Sequence, residues 1–163
     1  MIEMELAGVR VELPSNQPIV LLKELEGERY LPIWIGAAEA AAIALALQGV
    51  VTPRPMTHDL MKNILEEMAV EVQRIVITEL REGTFYAQID MRRNGSAFEI
   101  SSRPSDAIAL AVRLQAPIFA SEDVLSEAAI LIPAGDDEEE VERFREFLEH
   151  VKPEDFEEQA PGD

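Results

Sequence analysis

Apolar and polar residues alternate from the start of the chain. Ile2, Met4 and Leu6 share one phase, and Val9, Val11 and Leu13 continue in the other. Side chains leave a strand with a period of two, so this change of phase at Ala7-Gly8 predicts a single strand bent by a bulge. Pro14 to Pro18 is a turn, Ile19 to Leu22 a second strand, Glu26-Gly27 another turn, and Tyr30 to Ile35 a third strand. Gly36 then releases the chain into a helix from about Ala37 to Gln48, ended by Gly49. Val50 to Met56 is too rich in proline to be regular, and Thr57 is expected to cap a helix reaching Met68.

The pattern begins again at Val70. Val70 to Leu80 reads as a strand, Arg81-Glu82-Gly83 as a turn and Phe85 to Met91 as a strand; Asn94-Gly95 carries a tight hairpin signal before a strand from Ala97 to Ser101. A polar corner follows, Ser102-Arg103-Pro104-Ser105-Asp106. It opens a helix too apolar to have a wet face. Proline suits the first helical turn, the Ser105 oxygen is expected to accept from a free N–H, and Asp106 opposes the helix dipole. A short helix begins at Ser121-Glu122-Asp123 and runs through Val124, Leu125 and Ala128.

Ala42-Ile43-Ala44-Leu45-Ala46 recurs letter for letter as Ala107-Ile108-Ala109-Leu110-Ala111, 65 positions later, and the same offset pairs Ile35 with Ile100 and Leu60 with Leu125. This predicts an internally duplicated unit of three antiparallel strands plus a buried alanine-rich helix, with halves at about 1–68 and 69–133. The expected fold is α+β, two antiparallel sheets packed around the paired helices. Beyond it, residues 134–152 are expected to form an acidic linker and an amphipathic helix with Val141, Phe144, Phe147, Leu148 and Val151 on one face, and 153–163 an acidic tail expected to be disordered.

Composition narrows the function classes. The chain has no cysteine, which excludes disulfides and thiolate metal sites, and no apolar run of membrane-spanning length. Its start is acidic where a signal peptide would be basic, so a cytoplasmic protein with no membrane partner is expected. The net charge of −18 is uneven: residues 136–163 hold 13 acidic and 3 basic side chains. The remaining body, with 19 acidic and 11 basic residues, is still acidic, which argues against a nonspecific nucleic-acid coat and makes any such contact local. Eleven of the 14 basic residues are arginine, whose fork can take a phosphate bidentately, although composition alone also accounts for that bias.

Candidate chemistry gathers at helix starts. Glu39 lies in the first turn of one helix, His58-Asp59 in that of a second, and Arg103, Ser105 and Asp106 at that of a third. If the two halves pack about a pseudo-twofold axis, these starts converge. Free N–H groups and arginine would bind phosphate, carboxylates would hold a divalent ion such as Mg2+ or Mn2+, and histidine would act as acid or base. No glycine-rich phosphate loop or nucleophile elbow is present. Each residue also has a plainer role, with Glu39, Asp59 and Asp106 opposing helix dipoles and His58 a polar surface residue.

Three ordered motifs, Leu31-Pro32-Ile33-Trp34-Ile35-Gly36 with Glu39-Ala40, then Arg54-Pro55-Met56-Thr57-His58-Asp59-Leu60, then Arg103 to Ala111, resemble the signatures of the bifunctional nuclease (BFN) domain family from about residue 3 to 133. The resemblance implies an intracellular α+β domain that forms homo-oligomers and cleaves DNA and RNA. By position it points to Glu39, Arg54, His58, Asp59, Arg103, Ser105 and Asp106. The family pattern it resembles has in many members an acidic residue where this chain has Ser101, which weakens any mechanism needing a third carboxylate there. The leading expectation is a nuclease. In it Asp59 and Asp106 serve as metal or water-positioning groups, His58 with Glu39 in the catalytic set, and Arg54, Thr57, Arg103 and Ser105 against the substrate. The alternative is a non-catalytic module binding a ligand or protein through the same corners.

Overall fold

A computed structural model of the chain describes residues 1–12 and 16–132. The amphipathic stretch from Glu138 to Val151, His150 and the tail from Pro153 lie outside the described residues. The first strand, β1 (Ile2–Glu12), pairs with β2 (Gln17–Glu24), and β2 with β3 (Arg29–Trp34), in an antiparallel meander. The expected bulge is present: the β1/β2 register shifts between Leu6 and Gly8, where Gly8 takes φ of 149°, a conformation suited to glycine. Helices α1 (Ala37–Leu47) and α2 (Thr57–Glu67) follow.

The second half repeats this order with β4 (Glu71–Arg81), β5 (Thr84–Arg93), β6 (Ser96–Ser102) and α3 (Pro104–Leu114). Asn94 and Gly95 both have positive φ, 50° and 80°, as the tight turn between β5 and β6 requires. Short elements complete the described chain: β7 (Ile118–Ala120), α4 (Glu122–Ala128) and β8 (Ile130–Leu131).

The fold is α+β, but its strands form one sheet rather than two. The order is β6-β5-β4-β7-β1-β2-β3-β8. Three-residue β7 joins the halves, running parallel to β4 and antiparallel to β1, so the two meanders point in opposite senses. By pairing on both sides, β7 satisfies backbone groups that would otherwise leave two open edges. A strand this short has no periodic signal. One face of the sheet carries Val20, Leu22, Leu31, Ile33, Ile75, Ile77, Ala87 and Ile89 into a core shared with the helices.

Three local expectations also need correction. Thr57 does not cap α2: Met56 is the N-cap, and the Asp59 carboxylate accepts from the Met56 N–H at 3.0 Å. Ser105 does not cap α3, whose N-cap is Arg103 without a side-chain cap bond. The alanine-rich helices are not equally buried. In α3 seven residues are buried, from Pro104 and Ser105 through Ala111, whereas α1 buries only Ala40 and Ile43. Alanine is small enough to tolerate either side, so its density did not reveal which helix is central. Among the described residues no helix is long and apolar enough to cross a membrane.

Candidate functional site

At the end of β6 the chain turns through Arg103, extended at φ −69° and ψ 142°, into Pro104 at the first position of α3. Asp106, one turn in, faces back toward the corner. Its Oδ2 accepts from Arg103 Nε at 2.9 Å, and Oδ1 lies 3.0 Å from His58 Nε2. A carboxylate only accepts, which assigns the proton of that bond to Nε2 and leaves Nδ1 as the basic nitrogen of neutral His58. Arg103 Nη2 donates to Glu39 Oε1 at 2.9 Å. Gly36 leaves room for this carboxylate, since a Cβ there would collide with Glu39 Oε2.

The first turns of α1, α2 and α3 are thus linked in one chain of charge, Glu39, Arg103, Asp106, His58. Side-chain exposure is 18% at Glu39, peaks at 66% at Arg103 and falls to 28% at Asp106 and 9% at His58, so a wet guanidinium leads inward to a nearly enclosed imidazole. Arg103 Nη1 has no bond among the described residues, on a side chain that is 66% exposed. His58 Nδ1 makes no hydrogen bond among the described residues.

Asp59 faces a different cation. Its Oδ1 accepts from Arg113 Nε at 2.7 Å, and Arg113 also donates from Nη1 to the Ala109 carbonyl at 2.9 Å and from Nη2 to the Ala42 carbonyl at 3.0 Å. Arg113 ties α1, α2 and α3 together from a side chain only 7% exposed. Sequence reasoning missed it. The available signal was a lone cation in the last turn of an otherwise apolar helix, where a cation also suits the helix dipole.

The hydrogen bond from Arg113, helped by the Met56 N–H, holds the Asp59 carboxyl below its ordinary range. For Asp106, burial pushes upward, but the bonds from Arg103 and His58 outweigh it and its pKa is lowered too. Asp106 and then Glu39 raise that of Arg103. Both oxygens of each aspartate are therefore committed, and no group of three or more His, Asp or Glu among the described residues is arranged to hold a metal ion. As placed, Asp59 and Asp106 do not fit a shared divalent site.

The other sequence candidates are scattered around this centre. Arg54 and Thr57 are exposed, just before and at the start of α2, without side-chain partners among the described residues. Ser105 is 6% exposed. Ser101, opposite Gln88 in β6, is exposed.

The profile of the Bifunctional nuclease domain matches residues 20–133, which takes in all three clustered helix starts. The chain belongs to this family. An uncharacterized protein of Mycobacterium tuberculosis is 49% identical over 162 residues, covering 94% of this chain and 97% of its own. Bifunctional nuclease 1 of Oryza sativa subsp. indica is 31% identical over 106 residues, 63% of this chain and 32% of the rice protein. Bifunctional nuclease 1 of Arabidopsis thaliana is 31% identical over 108 residues, 64% of this chain and 33% of the plant protein. The chain therefore aligns with about one third of each plant relative, while it matches the mycobacterial protein almost end to end.

Proposed function

We propose that the chain hydrolyses phosphodiester bonds in DNA or RNA, with His58 as acid and base. The observation that carries this reading is the Asp106 carboxylate placed between the His58 Nε2–H and the Arg103 guanidinium. Such a bridge orients the imidazole, stabilises its protonated form and presents Nδ1 as the base. Arg103, with Arg54 and Thr57, would hold the phosphate. His58 Nδ1 would accept the proton of an attacking water as its oxygen bonds to phosphorus. The imidazolium would return that proton to the departing ribose or deoxyribose oxygen. Glu39 limits the rotation of Arg103 and so positions it. The names of the plant relatives support nucleic acid as the substrate.

A second reading, a non-catalytic binding module, is favoured by the burial of His58 and by the overall charge of −18. Single-turnover cleavage of labelled single-stranded DNA and RNA, with and without Mg2+ or Mn2+, separates the two. His58→Ala and Asp106→Asn should each reduce the rate by about 100-fold or more. Equal trace activity in wild type and both folded variants would place the nuclease elsewhere, in a contaminant, and leave the binding module.

A further inference from the structure

The sheet has a second face, and part of it is apolar. Directly opposed residues of an antiparallel pair share a face, so the registers Arg10↔Ile19, Ile19↔Trp34, Leu21↔Pro32 and Lys23↔Tyr30 gather these side chains on the side away from Val20, Leu22, Leu31 and Ile33. The helices lie on the other side: α1, α3 and α4 bury their core residues against Val20 and Leu31, and α2 packs on α3. An antiparallel sheet can leave one face to water when that face is polar. The β1–β2–β3 part of this face, with Ile19, Leu21, Tyr30, Pro32 and Trp34, is not.

Its centre is nevertheless covered. Leu21 is 6% exposed and Tyr30 7%, yet neither belongs to the core cluster under the helices. Neighbours in the plane of the sheet shield Leu21 little, because Gly8 on one side has no side chain and Pro32 on the other is short. Arg10, Tyr30 and Trp34 are none of them without an interaction partner. Among the described residues no helix lies on this face to supply the cover. The β1–β2 turn is too distant, since it closes at Glu12↔Gln17, four residues from Leu21 or about 13 Å along the strand.

We propose that the chain's own segment from Glu138 to Val151 docks on this face, laying Val141, Phe144, Leu148 and Val151 over Ile19, Leu21 and Pro32. The described chain ends in the right place for it: β8 pairs beside β3 with Ile130 opposite Tyr30, and so on the same face. The six residues from Pro133 to Glu138 reach about 20 Å, more than the roughly 15 Å from β8 across β3 and β2 to β1. As a helix the segment is about 21 Å long, enough to cross those four strands. Its apolar stripe meets an apolar patch, and a helix with such a stripe needs a surface to bury it. Its charge also fits, because eight carboxylates and two arginines stand between Asp136 and Val151 while Arg10 offers a cation beside Ile19. The docked segment makes the sheet the middle of three layers. None of this depends on the nuclease reading.

NMR of the full chain tests the docking. With methyl groups and phenylalanine rings labelled in the same chain, nuclear Overhauser contacts should join the Leu21 methyls to the ring of Phe144 or Phe147. In a mixture of methyl-labelled and ring-labelled chains these contacts should be absent. Phe144→Asp combined with Leu148→Asp puts two carboxylates on the stripe. This variant should lose the contacts and shift the emission of Trp34, the one tryptophan of the chain, to the red, while the methyl shifts of Ile75 and Ile108 in the helix-side core stay in place. Glu146→Gln, on the opposite side of the helical wheel, should change neither signal. Contacts that persist in the mixture would make a second copy's segment the occupant and overturn the proposal. So would a wild-type chain without contacts from Leu21 to the segment, or Trp34 emission unmoved by the double variant.

Discussion

Helices α1 and α3 are both 11 residues long and share the segment Ala-Ile-Ala-Leu-Ala, yet they occupy different environments. In α3 every residue from Ala107 to Ala111 is at most 1% exposed. In α1 only Ile43 of the matching five is buried. The difference comes from neighbours: α3 packs on α1, α2, β4 and β5, whereas α1 meets α3 and the β1–β2 side of the sheet. Identical local chemistry therefore yields a central helix and a flanking one. The central helix carries Asp106 at its start and Arg113 in its last turn, the two residues through which α2 is held.

Leucine truncation in the two copies should break the equivalence most visibly. Leu110→Ala removes a side chain 1% exposed and should cost about 2–5 kcal/mol, as for other enclosed core leucines. Leu45→Ala, at a half-buried position, should cost less than about 1.5 kcal/mol. Urea unfolding of both variants checks this. Equal losses would mean that the two helices contribute alike despite their different cover.

A somewhat smaller effect is expected at the bridge between the helices. Arg113→Ala should destabilise by about 2–3 kcal/mol, below the full penalty of a broken buried pair because Asp59 is 35% exposed. Arg113→Lys should not restore the loss, since a single ammonium cannot reproduce three directed guanidinium bonds. Combining Arg113→Ala with Asp59→Asn should recover part of it, and simple additivity of the two losses would show that the pair is not coupled.

The smallest effect is the dependence on acid. Both Asp59 and Asp106 have folded pKa values below those of the unfolded chain. Their stabilisation is therefore complete above the unfolded value of about 3.9 and is lost as pH falls through the lower folded values. Thermal melts should show stability dropping below about pH 4, with a shallower fall in Asp106→Asn and Asp59→Asn. An unchanged slope in both variants would assign the acid sensitivity to other carboxylates.

Much of this arrangement is legible in local patterns. The phase change at Ala7-Gly8, the Asn94-Gly95 turn and the proline at the head of α3 each express a backbone preference that acts within a few residues. The corner from Arg103 to Asp106 was visible for the same reason. Other features were not. Thr57 looked like the cap of α2, but Asp59 reaches back to Met56, and no rule of spacing distinguished them. Arg113 was hidden because its partners are a carboxylate 54 positions away and a carbonyl 71 positions away.

Strand and helix order, the repeated segment and the polar helix starts follow from the order of residues, because period, turn chemistry and capping act over short distances. Tertiary structure decided that β7 would join two meanders into one sheet, that α3 and not α1 would be enclosed, and that Asp106 would meet His58 while Asp59 turned to Arg113. Those outcomes depend on which distant surfaces close over one another, and a five-residue segment that occurs twice with two different burials carries no record of that choice.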